Sequence, residues 1–317
     1  MSGDLAALIP FVKPIEGLLL DPSASEIMVN GNGSIHYERD GLLTTCAERY
    51  PTGELTHAVR RIARSMGRDI DEKQPLFEGR LADGSRVAIV IPPCSVGGTT
   101  LAIRKFVYRP IWLDELVKTG MLNQQQADVL GTAVSDRKTI LICGQTGSGK
   151  TTCLNALTSF IPQDERVIVI EEVNELRLER VNVVYLESRP ADANMPEITI
   201  SDLLKKTLRL RPDRIIVGEV RGKEAFDFLQ AMNTGHRGSL ATIHANDCRS
   251  ALMRLRSCVA LAGIDLAPAT FAEMISGLID MVVHISRVQG KRVVSSMVRV
   301  EGYDRGADAY RLSEELA

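Results

Sequence analysis

Eight consecutive residues, Gly144-Gln145-Thr146-Gly147-Ser148-Gly149-Lys150-Thr151, have the types and spacing of a phosphate cradle. The glycines let the backbone fold tightly, so that several N–H groups can point inward at once. A helix starting near Lys150 adds the positive end of its dipole. Lys150 then reaches the β- and γ-phosphates and the Thr151 hydroxyl coordinates Mg²⁺, with Thr152 next in the same turn. The same octet could be a plain glycine-rich turn. Its flanks argue otherwise, because residues 139–143 read as a strand and residues 151–157 as a helix. The ligands expected are ATP and Mg²⁺.

Such a loop needs a scaffold that brings other chemistry to it. Short β-branched runs at 139–143, 167–170, 214–217 and 240–243 alternate with helical segments. Runs apolar on both faces suit a parallel sheet covered by helices. In that architecture ligands bind at the edge where the strands end. Glu171, Glu172 and Glu175 follow the second run, Gly218 and Glu219 the third, and His244 the fourth. Polar turns are common, which would explain any one of these. Their repetition beside a phosphate loop points to a composite catalytic edge. Hydrolysis of ATP needs Mg²⁺, an oriented water and an acceptor for its proton. Glu219 is the first choice for the Mg²⁺ shell or for polarising water, and Glu175 the second choice for the water. Which of them is the general base stays open. His244 and His236 could sense the γ-phosphate by donating a hydrogen bond. Zinc is not expected, because His236, His244 and Cys248 lack a fourth ligand at finger spacing.

The first third of the chain has a different character. Segments 26–29 and 34–37 flank Asn30-Gly31-Asn32-Gly33, a hairpin signature. Leu55, Ala58, Val59, Ile62, Ala63 and Met66 recur at helical spacing over 54–66, closed by Gly67. A second hairpin turns at Asp83-Gly84, its return strand stops at Pro92-Pro93, and a last strand covers 99–106. This half reads as an antiparallel sheet with a helix or two on one face. Arg109-Pro110 marks the linker. The chain has 317 residues and a net charge of −2, so no global basic field draws it to nucleic acid. Six scattered cysteines read as free thiols in a reducing compartment. Pro10 and Pro14 interrupt the apolar N-terminal stretch, and no window is long enough to span a membrane.

Taken with the phosphate loop, three segments resemble a known family. They are 166–175 with Glu171 and Glu175, 207–222 with Glu219 and Arg221, and 233–246 with His236 and His244. They are similar to the acidic box, Walker B and histidine box of the type II/type IV secretion traffic ATPases. The likeness runs from the first hairpin to 279–285, and is strongest to the conjugation and type IV secretion ATPases, with the Tad-pilus ATPases close behind. It implies an α/β chain, with an N-terminal α+β sheet domain (1–108), a linker and first helix (109–122) and a RecA-like P-loop ATPase domain with a mainly parallel sheet (123–317). It further implies a homohexameric ring, nucleotide held between the domains, and arginines of the first domain clamping the phosphates. Arg104 and Arg86 are the candidates, since Arg104 lies on the face opposite Leu101 and Ile103. Inner-membrane components of a secretion, conjugation or pilus machine are the implied partners. The implied location is cytoplasmic and peripheral at the inner membrane through those proteins. Glu172 stands where the family usually has Asp, which leaves its direct role in doubt. The chain also lacks the tetracysteine module of the pilus-assembly and type II branches.

Two further readings compete: a nucleic-acid motor on the same core, using Lys205, Lys206, Arg209 and Arg211, and a nucleotide-gated scaffold that hardly turns over. The first predicts turnover stimulated by DNA. The set Lys150, Glu219 and His244 speaks against the second.

Overall fold

The computed structural model describes residues 8–39, 41–51, 53–81, 84–105, 111–191 and 195–316. The chain divides into two compact units that meet in sequence at residues 109 and 110. The expected linker there, the end of the strand at Phe106 and Asp83 of the second turn lie outside the described residues.

The first unit holds α1 (Glu16–Leu20), β1 (Ala24–Val29), β2 (Ser34–Arg39), β3 (Leu42–Arg49), α2 (Glu54–Ser65), β4 (Leu76–Arg80), β5 (Arg86–Val90) and β6 (Thr100–Arg104). Its strands form one antiparallel sheet in the order β3-β2-β1-β6-β5-β4. The apolar stripe of α2, Leu55, Ala58, Val59, Ile62 and Ala63, is buried. It shares a core with Ile27, Val29, Val87, Ile89, Leu101 and Ile103 from one face of the sheet. Period-two alternation leaves Arg86 and Arg104 exposed at strand ends, directly opposite each other, with Glu26 beside Arg104. Strand β3 gives no sequence signal because it is exposed almost throughout; Leu42 and Leu43 are 72% and 68% exposed.

The second unit holds α3 (Leu113–Lys118), α4 (Gln124–Ser135), β7 (Ile140–Gly144), α5 (Lys150–Leu157), β8 (Val167–Glu171), β9 (Val183–Glu187), α6 (Ile200–Thr207), β10 (Arg214–Val220), α7 (Glu224–Asn233), β11 (Leu240–Ile243), α8 (Cys248–Ala260), α9 (Pro268–Leu278), β12 (Met281–Val288), β13 (Lys291–Asp304) and β14 (Ala309–Leu316). The sheet order is β14-β13-β12-β7-β11-β10-β8-β9. Strands β12 to β9 in that order pair parallel, while β13 and β14 extend the sheet antiparallel. Strands β7 and β8 are buried along their whole length, which explains their unbroken apolar runs. Their alternate residues feed two cores. Ile140, Ile142, Val167 and Val169 face Leu113, Leu116, Leu130 and Leu154, whereas Leu141, Ile168 and Ile170 face Phe228, Leu252 and Ile275.

Two strands run further than their apolar runs suggest. Glu171 is the last residue of β8, and β10 continues through Gly218 and Glu219 to Val220, with an irregularity against β11 between Val217 and Val220. Glu219 therefore belongs to the strand rather than to the turn beyond it. The C-terminal strands β13 and β14 escape sequence reading because exposed charges such as Lys291, Arg292 and Arg299 break the apolar pattern.

Candidate functional site

Strand β7 ends at Gly144, and the chain turns at once into the loop that starts α5. Gly144 has φ +155° and packs so closely that an added Cβ would lie 2.3 Å from the Ile285 carbonyl oxygen and 2.6 Å from Ser148 Oγ. Only glycine fits there. Gln145, Thr146 and Gly147 form an exposed tip, whereas Ser148 and Lys150 are buried, at 2% and 8% exposure. Lys150 Nζ donates to the carbonyls of Gly144 at 3.0 Å and Gln145 at 3.1 Å. Burial pulls its pKa down, and the charge of Glu219 works against that pull. Ser148 Oγ is buried without a hydrogen-bond partner. A buried lysine satisfied by nothing but its own loop's carbonyls, next to an orphaned hydroxyl, fits an anionic oxygen ligand. Thr151 and Thr152 stand in the first turn of α5, half-buried.

Glu219 reaches this edge from β10. Its Oε2 accepts from Arg221 Nη2 at 2.8 Å, and Arg221 Nη1 donates to Glu172 Oε2 at 2.5 Å. Glu172 is thus one side of an exposed bridge across the strand ends, at 49% side-chain exposure. Glu171 behaves differently. It is 4% exposed, its two oxygens accept from the Leu176 N–H at 3.1 and 3.3 Å, and burial pushes its pKa up to about 7. Gly218 makes room for it, since a Cβ there would lie 2.7 Å from Glu171 Cγ. Glu171 therefore shapes the following loop, which carries the half-buried Glu175.

The histidines separate. His244 follows β11 directly and is exposed at the same strand ends as the loop. Gln145 Nε2 donates to Asn246 Oδ1 at 3.4 Å, linking the loop tip to the His244 segment. His236 precedes β11, so it stands at the opposite end of that strand. Its Nδ1 lies 2.9 Å from the Ala231 carbonyl, which can only accept, so this nitrogen carries the proton. This unit brings His244 to the loop edge and places His236 at the opposite end of β11.

Two residues that the sequence did not single out also meet the loop. Arg292 Nε donates to the Gly147 carbonyl at 3.2 Å, and Arg287 Nη2 would be 3.6 Å from a Cβ added at Gly147. Both come from the β12–β13 hairpin, in a region where no apolar periodicity locates a strand. Among the described residues no group of His, Cys, Asp and Glu could hold a metal by itself, so a cation here needs ligand oxygens as well. Arg104 and Arg86 stand in the first unit, side by side on its sheet.

Comparison with known proteins places the chain in a family. Residues 12–299 match the family described as type II/IV secretion system protein. Conjugal transfer protein TrbB of Rhizobium radiobacter is 35% identical over 287 residues, covering 89% of this chain and 85% of that protein. Type IV secretion system protein PtlH of Bordetella pertussis is 38% identical over 299 residues, covering 84% and 86%. The crystal structure of the VirB11 ATPase from the Brucella suis type IV secretion system, in complex with sulphate, aligns with TM-score 0.51 and 29% identity, covering 93% of this chain and 95% of that one. The mixed α/β fold, with an antiparallel-sheet unit followed by a mainly parallel one, is the expected class. This chain belongs to the type II/IV secretion system protein family and is an ATP hydrolase of that family.

Proposed function

We propose that the chain is a Mg²⁺-dependent ATPase that works as a homohexamer and converts ATP hydrolysis into domain motion in a bacterial secretion, conjugation or pilus-assembly machine. The observation that carries the chemistry is the loop edge itself. Lys150 and the buried Ser148 hydroxyl suit an anion, and the charge of Glu219 bears on Lys150 from β10, two strands away from β7. Residues Gly144 to Thr152 bind the phosphates through backbone N–H groups and Lys150. Thr151 and Glu219 would hold Mg²⁺, which when bound neutralises phosphate charge. Glu219 or Glu175 orients the attacking water and takes its proton. His244, exposed at the same edge, donates to the γ-phosphate. Arg221 steers Glu219, because it already holds that carboxylate at 2.8 Å. Arg104 and Arg86 are assigned to the phosphates on the family resemblance, supported by their exposure on the open sheet face.

Homologues named for conjugal transfer and type IV secretion support the wider setting. No described helix is long and apolar enough to cross a membrane, so the proposed place at the inner membrane is reached through partner proteins. The nucleic-acid motor is less well supported. In its basic run Lys205 faces Asp227 at 3.6 Å and Arg211 faces Asp213 at 3.9 Å, which compensates part of the charge.

The test is native mass with and without Mg·ATP, paired with phosphate release by the wild type and Glu219→Gln. A six-subunit species with turnover that depends on Glu219 and ignores added DNA is the expected result. A monomer in all conditions, or turnover that climbs with single-stranded DNA, would overturn it in favour of the motor.

A further inference from the structure

The β12–β13 hairpin runs past the phosphate loop. Ile285 on β12 pairs with Gly144. The strand then continues through Ser286, Arg287 and Val288, so at about 3.3 Å per residue Arg287 stands beside the loop rather than beneath it. Gln289 and Gly290, with φ +50° and +81°, reverse the chain, and β13 returns with Arg292 directly opposite Arg287. Like charges facing each other across strands repel, and neither arginine has a carboxylate partner among the described residues. Arg292 spends its Nε on the Gly147 carbonyl, and its Cδ would be 3.2 Å from a Cβ added at Gly149. The Arg287 side chain makes no hydrogen bond among the described residues and remains exposed. Lys150, Arg287, Arg292 and the N-terminus of α5 thus converge on one loop, while the acid nearest in effect, Glu219, is engaged by Arg221.

We propose that Arg287 is a direct contact for a phosphate of the bound nucleotide, and that Arg292 is a positioning residue that holds the loop tip through Gly147. The proposal rests on reading the loop as the ATP site. It adds a phosphate clamp from the same unit as the loop, distinct from Arg104 and Arg86. The guanidinium fork of Arg287 suits a phosphate because it offers paired donors and a permanent charge. Arg292 acts differently. Held by its Nε, it fixes the carbonyl of Gly147 outward, so that the N–H groups of the tip stay turned in.

The experiment measures affinity of the full chain for a fluorescent ATP analogue, with competition by ATP and by inorganic triphosphate. Arg287→Ala should weaken both competitors about ten- to a hundredfold, the usual worth of a hydrogen bond to a charged group. Lys291→Ala, on the same exposed hairpin, should stay within about twofold, since a lone surface charge contributes little. Arg292→Ala should raise KM with kcat less affected, Arg292→Lys should restore it by keeping a donor to Gly147, and the thermal midpoint should not move. Unchanged affinity in Arg287→Ala, while the wild type binds and Lys150→Ala does not, overturns the clamp and leaves the ATP site standing. Weakened ATP with unweakened triphosphate overturns the phosphate assignment in favour of a nucleoside contact. A wild type that binds neither competitor overturns the site reading and the clamp together.

Discussion

The two edges of the parallel sheet treat their buried charges differently. At the edge where strands begin, the Arg214 side chain has no exposure, and it donates to Glu165 through Nε at 2.5 Å and to the Val134 carbonyl at 2.5 Å. Glu165 also accepts from Arg137 at 2.9 Å, and Asp280 pairs with Lys138 at 3.5 Å. Burial raises the cost of charge on Glu165, yet the arginines hold its carboxyl below the ordinary range. At the edge where strands end, Lys150 donates to loop carbonyls, and among the described residues Ser148 Oγ has no hydrogen-bond partner and Arg287 no ion pair. Closed charge locks strands together; open charge waits for a ligand. The difference separates structure from chemistry within one sheet.

The largest effect should come from the open edge. Lys150→Ala removes the one buried cation of the loop, and turnover should fall on the order of a hundredfold or more, as for loss of a preorganised transition-state donor. Phosphate release at saturating ATP measures it, with circular dichroism showing that the fold survives. Turnover near wild type would mean that the open charge is not catalytic. Glu219→Gln keeps the shape and removes the charge, so ATP should still bind while hydrolysis drops roughly a hundredfold, within the range of acid–base contributions. Retained single-turnover hydrolysis would shift the general base to Glu175.

The closed edge should answer in stability instead. Arg214→Met leaves Glu165 buried with Arg137 as its remaining partner, and breaking such a pair costs about 3 kcal/mol. Denaturant midpoints would show the loss. Nucleotide affinity of the folded fraction should be unchanged, which is the sharpest contrast with Lys150→Ala. A variant as stable as wild type would mean that water or Arg137 alone suffices for Glu165.

The phosphate loop, the strands on either side of it and the acids at their ends were legible because buried parallel strands leave unbroken apolar runs and the loop has a fixed spacing. What stayed hidden has physical causes. Strand β3 faces solvent nearly everywhere, so no alternation marks it. The β12–β13 hairpin extends past the core and is exposed at its tip, so no apolar pattern marks it, although its Arg292 bonds the Gly147 carbonyl of the phosphate loop. Nor does the sequence show that β11 lies between His236 and His244 and sets them at opposite ends of that strand. The cluster of buried Arg214 and Glu165 with exposed Arg137 was equally invisible, since its members are 28 to 77 residues apart and only the sheet brings them together.

Glu171 tests the comparison from a third side, because it sits at the open edge yet is buried like the closed one. Its pKa of about 7, against an ordinary 4.5, means that the folded state holds the proton more tightly than the unfolded state. Between those two values the folded chain binds more protons, so its stability falls as pH rises, and above pH 7 the whole cost is present. A shift of that size corresponds to about 3 kcal/mol at most. Glu171→Gln cannot ionise and should therefore gain stability over the wild type as pH increases. The difference in denaturant midpoint should be smallest near pH 4.5 and level off above pH 7. Loss of one acceptor for the Leu176 N–H displaces the mutant curve by a constant amount and leaves its pH slope untouched. Parallel curves for the two proteins would show that Glu171 stays charged at its ordinary value, and that the open edge admits water deeper than the packing around Gly218 implies.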